Sequence, residues 1–274
     1  MIRRLACVLA LLLPALTVRA AEPPAGMSWQ GHFEQGGMIT GSVVPGTVLR
    51  LGERLVPVAD DGHFVFGFNR DEAAQLPLEV RQPDGQQILV TLQIAKRDYD
   101  IQRIEGLPPK QVTPPAEVLD RIRRENAQIE AVREHVSPRT DFLQGWIWPA
   151  KGPISGIYGS QRILNGQPRQ PHYGVDIAAP AGTPVVATTD GTVVLAEPDL
   201  YYTGGTVIID HGLGVTAAYL HMQTVTVKAG QRVKQGEMIG AVGATGRATG
   251  AHLDWRVNWF DVRIDPQLLL PPHE

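Results

Sequence analysis

The sequence contains a single cysteine, Cys7, among 274 residues. One cysteine excludes an intrachain disulfide framework and any zinc site built from thiolates. Charged residues make up only 19% of the chain and apolar residues 43%, which is the composition of a globular protein rather than a disordered one. After residue 20, no stretch approaches the roughly 18 consecutive apolar residues that a membrane-spanning helix needs.

Two common catalytic signatures are also missing. The sequence has no HExxH helix, so the zinc-protease motif that is most often met is absent. It has no GxSxG turn either, and the one cysteine lies close to the N-terminus. Serine and cysteine nucleophile schemes therefore lack their first element.

Glycine and proline, by contrast, are abundant. There are 29 glycines and 22 prolines, together 51 of the 274 residues, with no collagen-like period. Because these two residues punctuate turns, the composition predicts many short strands joined by many turns. A helical bundle is excluded on the same ground, and the length is suited to two domains rather than one.

Residues 1–20 have the features of a secretory signal peptide. Arg3 and Arg4 precede an apolar run that ends near Val18, and Val18-Arg19-Ala20 offers a cleavage site. Pro14 interrupts the run, which is also short for an uncleaved membrane anchor. We therefore expect an exported protein that has no stable membrane insertion after cleavage.

Cleavage would make the chain more acidic. The 25 basic residues would become 22 against 28 acidic ones, so the formal charge would change from −3 to −6. Nonspecific nucleic-acid binding needs a basic face, so we expect no nucleic-acid partner.

Residues 21–105 are predicted to form an N-terminal β domain. Phe64, Phe66 and Phe68 recur with the two-residue period of a strand, as does the apolar series at 88, 90, 92 and 94. Turn signals such as Asp61-Gly62 precede these runs. We expect a small β-sandwich or barrel of about five to seven strands.

Residues 106–141 are predicted to be a proline-rich linker followed by a helix. Thr113 is the expected cap, Pro114 and Pro115 fall in the first turn, and Ser137-Pro138 ends the helix. Apolar residues form one stripe at helical spacing: Val118, Ile122, Ile129, Val132 and Val136. The stripe is expected to pack as a strut between domains, with self-association as the alternative.

Residues 142–274 return to strands separated by glycines. The expected strands cover residues 183–187, 192–195, 206–210, 215–220, 238–242 and 253–257. Half-buried strands of this length predict a compact antiparallel β domain. The fold class is thus mainly β: a small β-sandwich or barrel, a helical linker and a C-terminal antiparallel β domain.

Five polar residues of this last domain are candidates for chemistry. His172 and Asp176 are four residues apart, His221 ends a strand, and His252 and Asp254 are two apart. Side chains at i and i+2 of a strand point to the same face, so His252 and Asp254 can converge. Imidazole and carboxylate are ordinary zinc ligands, although such spacings alone are weak signals.

Residues 146–270 resemble the M23 (lysostaphin/LytM-type) zinc metallopeptidases. The matching stretches occur in order: Trp148-Pro149, 152–159, 172–185, Gly191-Thr-Val193, 207–212, Thr216-Ala-Ala-Tyr219-Leu-His221, 233–236, Ile239-Gly240, 243–246 and Thr249-Gly-Ala-His252-Leu. The N-terminal β segment and helix also resemble exported M23 proteins of Gram-negative bacteria. The resemblance implies a LytM-type peptidase domain over residues 142–274.

The resemblance also implies roles for single residues. His172 and Asp176 would bind zinc, and His221 and His252 would be catalytic. The family's third zinc ligand is a histidine, and Asp254 stands in its place. Carboxylate oxygen binds zinc at nearly the distance of imidazole nitrogen, so we expect Asp254 to ligate. The alternative is that Asp254 pairs with Arg256, which has the same strand parity.

The function that these residues imply is a zinc-dependent endopeptidase that hydrolyses peptide bonds of peptidoglycan, in a Gram-negative periplasm. Arg162, Asn165 and Tyr219 are candidate substrate-binding residues, with a loop-stabilising pair as the alternative for the first two. The second interpretation is an inactive LytM-type protein that binds the wall and activates a partner wall hydrolase. A wall-binding β module is a third, but it leaves the histidines unexplained.

Overall fold

The computed structural model describes residues 22–104, 116–164 and 166–271. The predicted signal peptide, the predicted helix cap Thr113 and the candidate residue Asn165 lie outside the described residues. Within them, no helix is both long and apolar enough to cross a membrane.

The N-terminal half of the chain forms short strands in two antiparallel sheets. The strands are β1 (Met27–Gly31), β2 (Met38–Val43), β3 (Val48–Leu51), β4 (Arg54–Val56), β5 (His63–Gly67), β6 (Gln75–Arg81) and β7 (Gln87–Gln93). One sheet has the order β1-β2-β5 and the other β4-β3-β6-β7. Phe64, Phe66 and Phe68 are fully buried between them, as the predicted β domain requires.

The rest of the chain is also dominated by strands. They are β8 (Ile101–Ile104), β9 (Ile154–Gly156), β10 (Gln161–Leu164), β11 (Gln167–Pro168), β12 (Val175–Ala178), β13 (Pro184–Val186), β14 (Gly191–Leu200), β15 (Gly204–Gly212), β16 (Val215–Val225), β17 (Arg232–Val233), β18 (Met238–Val242), β19 (His252–Trp259) and β20 (Val262–Ile264). Among the described residues, 3₁₀ turns cover Ala116–Val118, Asp141–Gln144 and Pro266–Leu269.

Ten of these strands build one large sheet. Its central order is β17-β14-β15-β16-β19-β12-β9, and β13, β18 and β20 pair at its sides. The pairs that carry the candidate residues, β16 with β19 and β19 with β12, are antiparallel. A separate small sheet has the order β11-β10-β8. The mainly β fold predicted from the glycine content and the alternating patterns is confirmed.

Polar contacts tie the N-terminal sheets to the large sheet. Arg97 forms an ion pair of 2.8 Å with Asp265, which is almost fully buried. Arg70 donates from Nε to the carbonyl oxygen of Gly159 at 2.8 Å, and its guanidinium stands 4.4 Å from the ring centroid of Tyr99. Arginines held in this way restrict the motion of both parts more than exposed ion pairs would.

One α-helix, α1 (Leu119–Glu134), connects the two halves within the described residues. It starts later than predicted, since the 3₁₀ turn comes first and no side chain caps it. Ion pairs along the helix join Arg121 with Glu125 and Asp120 with Arg123.

Helix α1 packs against the large sheet. Ile129 and Val132 contact an apolar cluster made of Leu195, Leu200, Ile208, Ala218 and Leu220. Polar contacts extend along the helix: Glu125 accepts from the backbone N–H of Tyr201 at 2.8 Å, and Gln128 donates to Glu197 at 2.8 Å. Part of the predicted apolar stripe therefore packs within the chain, against the large sheet.

Candidate metal centre

Two neighbouring strands bring the predicted ligands together. In the antiparallel pair β12 and β19, Asp176 lies directly opposite Asp254. Cross-strand partners place their side chains on the same face of a sheet, so both carboxylates point to one side. His172 reaches the same point from the segment before β12, four residues ahead of Asp176.

The three side chains form a compact cluster. Nε2 of His172 is 3.0 Å from Oδ1 of Asp176 and 3.6 Å from Oδ1 of Asp254. One ligand atom from each residue lies within 4.8 Å of the others, and no other group of three or more potential ligands of this kind occurs in the described ranges. Three donors at this separation leave room for one central ion, with a fourth position open.

The donor set fits a cation. Nε2 of His172 and Oδ1 of Asp176 are buried and make no hydrogen bond of acceptable geometry. Burial lowers the pKa of His172, but the neighbouring carboxylates of Asp176 and Asp254 outweigh it and raise the pKa to about 10. Without a metal, His172 would therefore hold a proton whose positive charge offsets the two carboxylates. A divalent ion can supply that positive charge instead and bind the buried acceptor atoms.

Backbone carbonyl groups orient all three histidines. Nδ1 of His172 lies 3.2 Å from the carbonyl oxygen of Ile157, that of His221 lies 2.9 Å from Thr245, and that of His252 lies 2.8 Å from Gly250. A carbonyl accepts only from an N–H, so Nδ1 carries the proton and Nε2 is left as the lone-pair nitrogen. In each ring the free nitrogen is then available to the site.

His221 reaches the site through an unusual backbone conformation. Its φ is +65°, in the left-handed region that residues other than glycine rarely adopt. His221 was expected to end a strand, but it lies inside β16, where this conformation interrupts the alternation. The His221 ring centroid is 4.8 Å from that of His252. Burial lowers the pKa of His221 below its usual value, which keeps the ring neutral. Strain of this kind is typical of functional positions.

Asp254 makes a second strong contact, with Arg256. Arg256 donates from Nε to Oδ1 at 3.0 Å and from Nη2 to Oδ2 at 2.5 Å, a two-pronged pairing. Burial raises the pKa of Asp254, but the Arg256 guanidinium and His172 outweigh it and hold the pKa well below its usual range. The carboxylate of Asp254 therefore faces His172 through Oδ1 and also pairs with Arg256.

Tyr219 is the predicted substrate-binding residue whose side chain the structure describes. It is fully buried, and its hydroxyl contacts the backbone N–H of Thr188 at 3.0 Å and the hydroxyl of Thr188 at 2.7 Å. The expectation that Tyr219 touches substrate is therefore corrected to a structural role. Arg162 lies in β10, which pairs with β8 and β11 in a separate sheet, and its contact with substrate stays a prediction.

Two glycines that the sequence did not single out make room for the carboxylates. A Cβ added to Gly156 would overlap the Asp176 carboxylate, and one added to Gly174 would lie 2.6 Å from Oδ1 of Asp254. Glycine within or beside a strand often marks such a close approach. That signal was present in the sequence, but many other glycines shared it.

Gly156→Ala is expected to weaken metal binding about 10-fold to 100-fold, the usual cost of disturbing groups that position ligands. The added methyl would push Asp176 away from His172. The measurement is a competitive zinc titration of the purified variant. Gly250→Ala is the matched control, because its Cβ would meet nothing within 4 Å and its φ is not in the left-handed region. Unchanged affinity in Gly156→Ala would contradict the arrangement described here.

Comparison with known proteins now assigns the class. Residues 170–266, which contain all five candidate residues, match the model of peptidase family M23. A crystal structure from Pseudomonas aeruginosa that is assigned to peptidase M23 superposes with a TM-score of 0.68 and 29% identity, over 86% of this chain and 94% of that one. The chain contains an M23 peptidase domain, and the resemblance predicted from the sequence is confirmed.

Two relatives show which proteins carry similar domains. The peptidoglycan DD-endopeptidase ShyA of Vibrio cholerae is 45% identical over 109 residues, which is 39% of this chain and 25% of ShyA. The lipoprotein NlpD/LppB homolog of Pseudomonas aeruginosa is 37% identical over 127 residues, 46% of this chain and 40% of that protein. The similarity thus spans less than half of either relative and is centred on the peptidase domain.

Proposed function

We propose that the protein is a zinc-dependent endopeptidase that hydrolyses peptide bonds of peptidoglycan, in cross-links or stem peptides. The observation that carries this proposal is the cluster of His172, Asp176 and Asp254 with two further histidines beside it. The similarity of the domain to a peptidoglycan DD-endopeptidase supports the substrate class.

His172, Asp176 and Asp254 would hold the metal. A bound zinc ion supplies Lewis-acid polarisation and a water molecule of lowered pKa. The carbonyl of Ile157 fixes the His172 ring so that Nε2 is the ligand atom. The Asp254–Arg256 pairing fixes the second carboxylate in the same way.

His221 and His252 are proposed as the catalytic pair. Both present Nε2 to the site, because Nδ1 of each contacts a backbone carbonyl. One ring can accept the proton of the attacking water and return it to the leaving amine. The other, when protonated, can donate a hydrogen bond to the oxygen that becomes negative. Nε2 of His252 is 3.9 Å from Oδ1 of Asp176, so this pair borders the metal ligands directly.

Arg256 offsets the charge change that Asp254 introduces. Two carboxylates and one imidazole neutralise a divalent ion more completely than one carboxylate and two imidazoles do, which would make its water less acidic. Because the guanidinium of Arg256 pairs with Asp254, that pair together is neutral. The charge around the metal is therefore close to that of the usual family set, which supports an active enzyme.

We further propose export and a periplasmic location, from the predicted signal peptide and the lipoprotein relatives. The peptide part of peptidoglycan is the proposed partner. A wall hydrolase is a second possible partner only under the alternative function below.

Incubation of the purified protein with cross-linked muropeptides is expected to yield shorter, uncross-linked products. A chelator should abolish the cleavage and added zinc should restore it, because three protein side chains alone lack an activated water. Chromatography with mass identification of the products measures the result and gives the scissile bond. The control is the Asp176→Ala variant with zinc. Cleavage that persists in chelator would contradict the proposed zinc dependence.

The second candidate function is an inactive wall-binding protein that activates another hydrolase. The engagement of Asp254 by Arg256 favours it, since a paired carboxylate is a poorer ligand. In that case the protein would leave muropeptides uncut under zinc-replete conditions but would stimulate an added amidase. The muropeptide cleavage assay therefore separates the two candidate functions.

A further inference from the structure

Two neighbouring turns contact His221. The first turn connects β14 with β15, and the second follows β18. The backbone N–H of His221 donates to the carbonyl oxygen of Thr203 at 2.8 Å, and Nδ1 of its ring lies 2.9 Å from the carbonyl oxygen of Thr245. The second turn also reaches His252, whose backbone N–H donates to the carbonyl oxygen of Gly243 at 3.1 Å. This turn therefore contacts both histidines of the proposed catalytic pair.

His221 lies at an irregularity in the pairing of β15 with β16. Gly205 faces Met222 and Val207 faces Tyr219, so one intervening residue of β15 is opposite two of β16. This is the arrangement of a β-bulge, which disrupts the ladder locally and re-aims a side chain, often beside an active site. The φ of +65° at His221 belongs to this bulge. Regular strand pairing therefore does not fix the orientation of His221, and other contacts must do so.

The hydroxyl group of Thr245 bridges the two strands at the bulge. It accepts from the backbone N–H of Gly205 at 2.9 Å and donates to the carbonyl oxygen of Met222 at 2.8 Å. A hydroxyl has one donor hydrogen and two lone pairs, so both bonds can form at once. Gly205 and Met222 face each other, and Met222 directly follows His221. The side chain of Thr245 thus joins β15 to β16 beside the ring that its own carbonyl contacts.

The two turns are packed closely against each other. A Cβ added to Gly204 would lie 2.1 Å from the hydroxyl oxygen of Thr245, and one added to Gly246 would lie 2.4 Å from the backbone nitrogen of Gly204. The backbone N–H of Arg247 also donates to the carbonyl oxygen of Tyr202 at 2.9 Å. The position of the Thr245 carbonyl is therefore set by its own hydroxyl and by the packing of the two turns.

We propose that Thr245 is a positioning residue for His221: its hydroxyl fixes the turn, and its carbonyl keeps the ring protonated at Nδ1, so that Nε2 stays the lone-pair nitrogen. The inference rests on the proposed function and adds a residue that acts through its catalytic histidine. A carbonyl accepts only from an N–H, so a carbonyl held in this place selects one of the two neutral forms of the ring. Proton transfer needs hydrogen-bond distance, so a small displacement of the ring lowers the rate.

Thr245→Val removes the hydroxyl and keeps the branched shape of the side chain. The variant is expected to cleave cross-linked muropeptides with a kcat about 10-fold to 100-fold lower, the usual cost of losing a group that orients a functional histidine. KM and zinc content should change little, because neither a substrate contact nor a proposed ligand is removed. Thr245→Ser retains the hydroxyl and should restore kcat nearly to that of the wild type. Thr245→Ala, which adds no bulk, replaces Thr245→Val if that variant does not fold.

Thr183→Val is the matched control. The hydroxyl of Thr183 also donates to a backbone carbonyl, that of Pro180 at 2.8 Å, in the turn before β13. This variant loses a bond of the same kind and should keep the wild-type kcat. An unchanged kcat in folded, zinc-bound Thr245→Val would overturn the role of Thr245, and so would a Thr245→Ser variant that is equally slow. A loss confined to KM would overturn it too, since Thr245 would then contact the substrate instead of positioning His221.

Nitrogen NMR of the metal-free protein gives a readout that does not depend on cleavage. With His221→Ala to assign the signals, and at a pH where the ring is neutral, His221 should be protonated at Nδ1 in the wild type and in Thr245→Ser. Thr245→Val should show a mixture of the two neutral forms. If the wild type cuts no muropeptide but this difference appears, the endopeptidase proposal fails while Thr245 still positions His221. If the wild type cuts and Thr245→Val matches it in kcat and in the NMR signals, only the role of Thr245 is wrong.

Discussion

Asp254→Ala is expected to lower zinc affinity by about a hundredfold and to remove most cleavage activity. A structural zinc ion gains roughly 3 kcal/mol per protein ligand, which corresponds to that factor. The loss of zinc affinity should be larger than removal of a ligand alone would cause, because the variant leaves the Arg256 guanidinium beside the site without its carboxylate. A positive charge facing the ion weakens binding further.

The same substitution should also reduce stability in the absence of metal. Removing one partner of a buried ion pair typically costs about 3 to 5 kcal/mol, because the other charge stays desolvated. Asp254→Asn keeps the shape and one of the two acceptor oxygens, so it should fall between the wild type and Asp254→Ala in both properties. Denaturant unfolding of the metal-free protein measures the stability, and a competitive zinc titration measures the zinc affinity.

Asp98→Ala is the control, since Asp98 is exposed and distant in sequence from the candidate site. It should match the wild type in zinc affinity. Full zinc occupancy in Asp254→Ala would refute the proposal that Asp254 is a ligand and would leave the pairing with Arg256 as its whole role. Loss of stability without loss of zinc would point to the same conclusion.

The meeting of His172, Asp176 and Asp254 could be predicted from the resemblance to family M23 rather than from their spacings, which alone are weak signals. Strand periodicity predicts which side chains of one strand share a face, but it does not identify the neighbouring strand. The structure places Asp176 directly opposite Asp254. The mainly β fold could be predicted from the residues themselves, because glycine positions marked the turns between alternating runs.

Tyr219 and His221 show where the same rule fails. They are two residues apart in one strand, so a regular alternation would place both side chains on the same face. The left-handed φ of His221 breaks the alternation, so the Tyr219 ring is buried against Thr188 while the His221 ring stands beside His252. A single backbone conformation of this type leaves no periodic signal in the sequence.

The surface against which α1 packs could not be predicted from the sequence either. Its apolar stripe predicted a packed helix but not which surface it would cover. Ile129 and Val132 contact residues that are about 60 to 90 positions later in the chain, on the face that carries the ligands. Local patterns do not encode such long-range partners.

His221→Ala is expected to lower kcat about 10²-fold to 10⁴-fold while zinc stays bound, which is the usual range for loss of a general acid or base. His221 is not in the set of ligand atoms that cluster around His172, so its removal should not empty the metal site. His252→Ala should have an effect of similar size, since its ring is adjacent and is oriented in the same way. Single-turnover cleavage and metal content, measured on the same preparation, separate the chemical step from metal loss.

A variant that carries both His221→Ala and His252→Ala tests this prediction more strictly. If His221 and His252 act in one proton-transfer step, removing both should cost little more than removing either, because the effects of residues that work as a unit are not additive. Independent roles would instead multiply the two losses. His135→Ala, an exposed histidine just after α1, should leave kcat unchanged. Zinc loss in His221→Ala would assign that ring to metal binding, and unchanged kcat with zinc bound would remove it from the mechanism.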